Sequence, residues 1–260
     1  MVTARTMITE DLRHALDRVA FAKSLGFKPD GWQLEALRST SKRVLFNISR
    51  QAGKSTVASL LALHEALHFP RSLVLVLAPS LRQSQELFNK ILDFYKSGGL
   101  SVAANAERRL SLELANGSRI LTLAGTEKTI RGFSGVSLLV VDEAARVEDS
   151  LYFALRPMLA VSGGSLLMLS TPAGRRGAFY EEWAFGEDWE RYEVKATEVP
   201  RISAEFLETE RRTLPLRIYR QEYMCSFEEN EDAVFGEADV RRAFTHEILP
   251  LEIPGGFSDR

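Results

Sequence analysis

The sequence predicts an α/β fold, a mostly parallel sheet covered by helices on both faces. Three observations predict it. Short runs at 43–48, 73–78, 137–141 and 165–169 are apolar nearly throughout, the pattern of strands buried on both faces. Stretches with apolar residues at helical spacing separate them. Glycine and proline punctuate the junctions.

The elements follow in order. Residues 7–25 carry Leu12, Ala15, Leu16, Val19 and Ala20 at helical spacing and are expected to form one amphipathic helix. Pro29-Asp30-Gly31 breaks the chain, and a short helix starts over 32–37. Residues 43–48 read as a buried strand, followed by a loop and a helix from Lys54 to about His68. The second strand covers 73–78, Pro79 stops it, and a polar helix covers 81–95. Segments 109–114 and 119–123 alternate around Asn116-Gly117, a hairpin signal. A buried strand at 137–141, a helix over 150–159, a strand at 165–169 and a later strand at 190–195 complete the core. Residues 203–224 turn helical again, broken at Pro215, and form a small appendage. From about Glu228 the chain is acidic and loop-like.

The chain has 260 residues, enough for one large α/β domain or a domain with an appendage. Apolar residues make up 45% and charged residues 26%, as in soluble globular proteins. The apolar runs are far too short to span a bilayer, and the N-terminus lacks a secretory signal's apolar stretch. Cys225 is alone, which excludes an internal disulfide and a cysteine-based metal cluster. These features point to the cytoplasm and away from membranes. The net charge of -2 means that contact with a nucleic acid would use local basic patches.

Two motifs carry chemistry. Gly53-Lys54-Ser55 follows a strand and opens a helix, the context of a phosphate-binding loop made of Ser49, Arg50, Gln51, Ala52, Gly53, Lys54, Ser55 and Thr56. Amide groups at the helix N-terminus would face the phosphates, Lys54 would reach the β- and γ-phosphate oxygens, and Ser55 would bind Mg²⁺. The usual glycine five residues before Gly53 is replaced by Ile48. Leu138-Leu139-Val140-Val141-Asp142-Glu143 ends a buried strand in two carboxylates. Ligands of open α/β sheets bind at that strand end. Asp142 would hold Mg²⁺, and Glu143 would orient and deprotonate the attacking water. Each motif alone also fits a plain turn; together, in this order, they point to hydrolysis of ATP with Mg²⁺. A strand between the motifs and a glutamate after the aspartate mark the ASCE (RecA-like) branch of P-loop NTPases.

The ordered set resembles one family, the phage terminase large subunits, which package DNA into procapsids. Ser49-Arg50-Gln51-Ala52-Gly53-Lys54-Ser55 is similar to that family's deviant phosphate loop, which tolerates the missing glycine. Gly31-Trp32-Gln33, Ala78-Pro79-Ser80, Thr129-Ile130-Arg131-Gly132, Val141-Asp142-Glu143-Ala144, Ser170-Thr171-Pro172 and Arg220-Gln221-Glu222-Tyr223 match further segments in order. The resemblance implies a P-loop ATPase core over 1–200 and a helical lid over 201–233. It implies a linker over 234–260 toward a nuclease domain that this chain lacks, hence no nuclease activity. Trp32 and Gln33 would meet the adenine, Arg50 or Arg131 would be the arginine finger, in cis or in trans, and Ser170-Thr171 would couple hydrolysis to DNA movement. Arg175 and Arg176, after the coupling motif, are the first candidates for DNA contact. Double-stranded DNA, a portal protein, a small terminase subunit and a homo-oligomeric ring in the host cell cytoplasm are the implied partners and setting. A helicase-like ATPase remodelling nucleic acid, or a nucleotide-dependent switch without turnover, are the alternatives.

Overall fold

In the computed structural model, which describes residues 4–98, 100, 102–124 and 132–229, the apolar runs become strands of one eight-stranded sheet. The strands are β1 (Arg43–Ile48), β2 (Leu73–Ala78), β3 (Ala104–Arg108), β4 (Ser111–Leu114), β5 (Arg119–Ala124), β6 (Leu138–Asp142), β7 (Ser165–Ser170) and β8 (Glu190–Val194). Their spatial order is β3-β4-β5-β2-β6-β7-β1-β8. Every pair from β5 to β8 is parallel, and only β3–β4 and β4–β5 are antiparallel. The hairpin expected around Asn116-Gly117 is β4–β5, turned by Gly117 at φ +82.

The helices are α1 (Ala4–Leu16), α2 (Arg18–Ser24), α3 (Gly31–Arg38), α4 (Lys54–His68), α5 (Leu81–Ser97), α6 (Asp149–Leu155), α7 (Gly177–Ala184), α8 (Ala204–Thr213) and α9 (Leu216–Met224). The single helix expected over 7–25 is two. The Asp17 side chain accepts from the Val19 and Ala20 amides at 2.8 and 3.0 Å, capping a new helix instead of continuing the old one. The helix expected over 150–159 stops at Leu155 and tightens into a 3₁₀ turn at Arg156–Leu159, where Pro157 supplies no amide donor.

The strands alternate, but both faces are apolar. Phe46, Ile48, Val74, Val76, Val140, Leu167 and Leu169 pack under α2, α3, α4 and α5. Leu45, Leu75, Leu77, Leu139, Val141 and Met168 pack on the other side under α6 and α7. All six residues of β2 are buried, and each such Val or Leu contributes about 1.5–3 kcal/mol by leaving water.

This order positions the site. β7 lies between β1 and β6, so the carboxyl ends of β1, β7 and β6 stand side by side. Asn47 pairs with Ser170, and Asp142 with Leu169. The strand expected between the motifs, 73–78, is β2, which lies on the far side of β6; the strand that stands between the two motif strands is β7. Arg131 and residues 230–260, which take in the end of the expected lid and the expected linker, lie outside the described residues.

Candidate nucleotide site

The loop between β1 and α4 is five residues long, Ser49 to Gly53. Its shape depends on two left-handed positions, Gln51 at φ 61 and Gly53 at φ 91. At Gly53 an added Cβ would sit 2.6 Å from the Gln33 Nε2, so a larger residue there would strain the backbone and displace the Gln33 amide. Ser49 is tied to the neighbouring strand, its amide donating to the Val194 carbonyl at 3.0 Å. Its hydroxyl is buried without a partner. Ala52 is buried, and its carbonyl accepts from Gln33 and Arg201, each at 3.2 Å.

A cavity of about 710 Å³ opens over this loop. Arg50, Gln51, Gly53, Lys54, Ser55 and Thr56 line it on one side and Glu143 on another. Gln33, Phe27, Lys28 and Arg201, with Glu86 and Lys90 of α5, complete the lining. Lys54 is 8% exposed, and its Nζ reaches the Ile48 carbonyl only at 3.5 Å, the outer limit of a hydrogen bond. Burial lowers its pKa, while Glu143, Asp142 and Glu222 pull the other way. A buried ammonium with so weak a partner suits an incoming phosphate.

Asp142 ends β6 almost fully buried. Burial first, then the Glu143 charge, push its pKa up to about 6. The Ser55 hydroxyl lies 3.5 Å from its Oδ2, and the Glu143 amide donates to its Oδ1 at 2.9 Å. Glu143 itself is left-handed, φ 50, which turns the chain off the strand into the 3₁₀ turn Ala144–Arg146. Ser170 and Thr171 are buried beside it at the end of β7.

The structure brings together the loop, both carboxylates, Gln33 and Thr171. Trp32 does not join them. Partly buried, it packs edge-on against Phe46 at the margin of the core, ring centroids 5.7 Å apart. Gln33 has both ends of its amide engaged, Oε1 accepting from the Asp30 amide at 2.9 Å and Nε2 donating to Ala52. Arg50 is exposed and pairs with Glu222 of α9, Nε to Oε2 at 2.5 Å. Arg175 donates from Nε to the Phe227 carbonyl at 3.0 Å, and Arg176 is exposed at the start of α7.

Sequence reasoning missed several contributors. Arg146 contacts Glu143 at 2.7 Å, Arg201 bonds Asp30 at 2.6 Å, and Phe27 and Lys28 line the cavity. Only Arg146 left a signal, its position three residues after Glu143.

Comparison with known sequences gives a consistent picture. The family described as "Terminase large subunit, T4likevirus-type, N-terminal" matches residues 45–242. The large terminase subunit of Thermus virus P23-45 is 27% identical over 257 residues, 85% of this chain and 53% of that protein. That of Escherichia phage T5 is 29% identical over 233 residues, 85% of this chain and 52% of that protein. The chain therefore spans about half the length of the curated relatives it matches. Among solved structures, the Thermus phage P74-26 large terminase ATPase domain superposes with a TM-score of 0.71 at 27% identity, covering 80% of this chain and 97% of that one.

Proposed function

We propose a motor function from one premise: the chain belongs to the terminase large subunit, T4likevirus-type, N-terminal family, which matches it over residues 45–242. In this reading the chain hydrolyses ATP with Mg²⁺ and uses the energy to translocate double-stranded DNA into a procapsid. One observation carries the hydrolytic part. The phosphate loop with Lys54 and Ser55, and Glu143 from the far side of β7, face the same cavity.

The roles follow from the geometry. Amides of the loop and of the first turn of α4 receive the phosphates, and Lys54 neutralises charge on the β- and γ-oxygens. Gln33 still has one amide hydrogen and one lone pair for the edge of an adenine, and Phe27, Lys28 and Arg201 line the same cavity. Glu143 takes a proton from the attacking water. Asp142 and Ser55 offer only oxygens, the donors a hard divalent cation prefers, and the buried Asp142 carboxylate lacks a full counter-charge. Mg²⁺ held by Ser55 and Asp142 would neutralise phosphate charge.

The packaging role sets the chain beside duplex DNA, a portal protein and a small terminase subunit, in a homo-oligomeric ring in the host cytoplasm. No helix among the described residues is long and apolar enough to cross a membrane. Residues 201–233 act as the lid over the nucleotide. Arg50 or Arg131 is the finger, and a finger acting in trans requires the ring.

Glu143→Gln tests the hydrolytic reading. Phosphate release should fall by about a hundredfold or more, while an ATP analogue binds within a few-fold of wild type. Wild-type protein that binds ATP with Mg²⁺ yet releases no phosphate, even at assembling concentrations, would instead favour a switch.

A further inference from the structure

Arg146 stands where three elements meet, and one guanidinium touches all three. Its Nη1 donates to Glu143 Oε2 at 2.7 Å and reaches Thr171 Oγ1 at 3.4 Å. Its Nη2 reaches Glu222 Oε1 at 3.4 Å. Glu143 follows β6, Thr171 follows β7, and Glu222 lies on α9.

The local fold builds this contact. Glu143 is left-handed and opens the 3₁₀ turn Ala144–Arg146. The Arg146 amide donates to the Glu143 carbonyl at 2.9 Å, so the turn brings the two residues together. The arginine fork then has a second nitrogen left for a second carboxylate, which a single ammonium could not reach at the same time.

The other end of the link is equally specific. Glu222 is 13% exposed, and its second oxygen takes the Arg50 Nε at 2.5 Å. The Arg50 amide donates to the Glu222 carbonyl at 3.1 Å. Beyond α9, the Cys225 carbonyl accepts from Asn47 Nδ2 at 2.9 Å, at the end of β1. The last turn of α9 is therefore tied to the phosphate loop from one side and to Glu143 and Thr171 through Arg146 from the other.

We propose that Arg146 is a positioning residue that holds Glu143 in line for attack only while α9 is docked, so that lid position and hydrolysis are linked through one side chain. This rests on the reading of Glu143 as the base. A surface ion pair would tie Arg146 to one carboxylate. This one joins the acidic motif, the coupling motif and the lid. Movement of α9 removes one anchor of the guanidinium, and Glu143 loses its fixed orientation.

The test uses the 260-residue chain with Arg146→Ala and Arg146→Lys. In Arg146→Ala, kcat for ATP should fall about tenfold or more, the scale on which a misplaced catalytic group is felt, while an ATP analogue binds within threefold of wild type. Arg146→Lys should recover part of kcat, because an ammonium can still meet Glu143 but cannot bridge to Glu222. Hydrogen exchange of nucleotide-free protein gives a readout without turnover. Amides of Leu216–Met224 should exchange several-fold faster in Arg146→Ala, with β6 unchanged. A kcat within twofold of wild type overturns the proposal, as does a parallel loss of kcat and nucleotide affinity. Unchanged exchange across α9 also overturns it, whether or not the wild type hydrolyses ATP. Faster α9 exchange beside a wild type with no turnover even at assembling concentrations would sink the ATPase reading and leave the Arg146 link to α9 standing.

Discussion

Replacing Asp142 with asparagine should stabilise the nucleotide-free protein while removing its response to Mg²⁺. Asp142 is 7% exposed, and its pKa rises from an ordinary 3.8 to about 6. A carboxyl whose pKa is raised by folding binds its proton more tightly in the folded state. It therefore costs no stability below pH 3.8, costs progressively more between 3.8 and 6, and costs its full amount above 6. About two units correspond to roughly 3 kcal/mol. Asparagine keeps the oxygen that accepts from the Glu143 amide and drops the charge. Part of the gain is offset, because Lys54 loses one of its counter-charges. A net gain of about 1–2 kcal/mol remains, or roughly 2–8 °C in Tm for a chain of this size.

Thermal unfolding in EDTA, from pH 4 to pH 8, reads this directly. The variant should match wild type near pH 4 and exceed it at pH 8. With an ATP analogue already present, adding Mg²⁺ should raise the wild-type Tm further and leave that of Asp142→Asn nearly unmoved. A variant no more stable than wild type at pH 8, or an advantage equal at both ends of the range, would refute the claim that the site stores this charge at a cost.

Gly53→Ala should lower stability by about 2 kcal/mol, because alanine pays about 1–2 kcal/mol in the left-handed region and its Cβ would meet Gln33 Nε2. Urea unfolding and nucleotide affinity should both fall, and an unchanged midpoint would contradict the φ of 91. Arg176→Ala should weaken duplex binding and reduce the slope of log K against log salt by about 1, with a slope equal to wild type rejecting the contact.

The core strands and α4 were legible because each is one continuous run whose burial is decided on the spot. β3 was not, since Ala104–Arg108 is a mostly exposed edge with no alternation to read. α7 begins after Arg176 with Gly177 and was also missed, as short helices held by packing leave little local signal. The same rule governs the site. The phosphate loop and the Asp142-Glu143 pair are contiguous in sequence and were found. Phe27 and Arg201 come from two distant segments that meet only in the fold. The expectation that Trp32 joins Gln33 at the base fails on helix geometry. Neighbours on a helix point about 100° apart, so when Gln33 faces the loop, Trp32 faces Phe46.

The missing loop glycine also has a physical reason. Position 48 is the last residue of β1, paired with Val194 and fully buried in the core. The left-handed turns fall later, at Gln51 and Gly53, so nothing at Ile48 requires a glycine's freedom. A glycine there would remove a buried side chain and loosen the strand that carries the loop. Losing a buried isoleucine to alanine costs about 2–5 kcal/mol, and glycine adds roughly 0.5–1 kcal/mol through backbone entropy. Ile48→Gly, which restores the usual motif spelling, should therefore drop Tm by roughly 5–20 °C and weaken nucleotide binding with it. If that variant kept both its unfolding midpoint and its affinity, the loop would not depend on β1 for its position, and the account of why this chain departs from the usual pattern would fail.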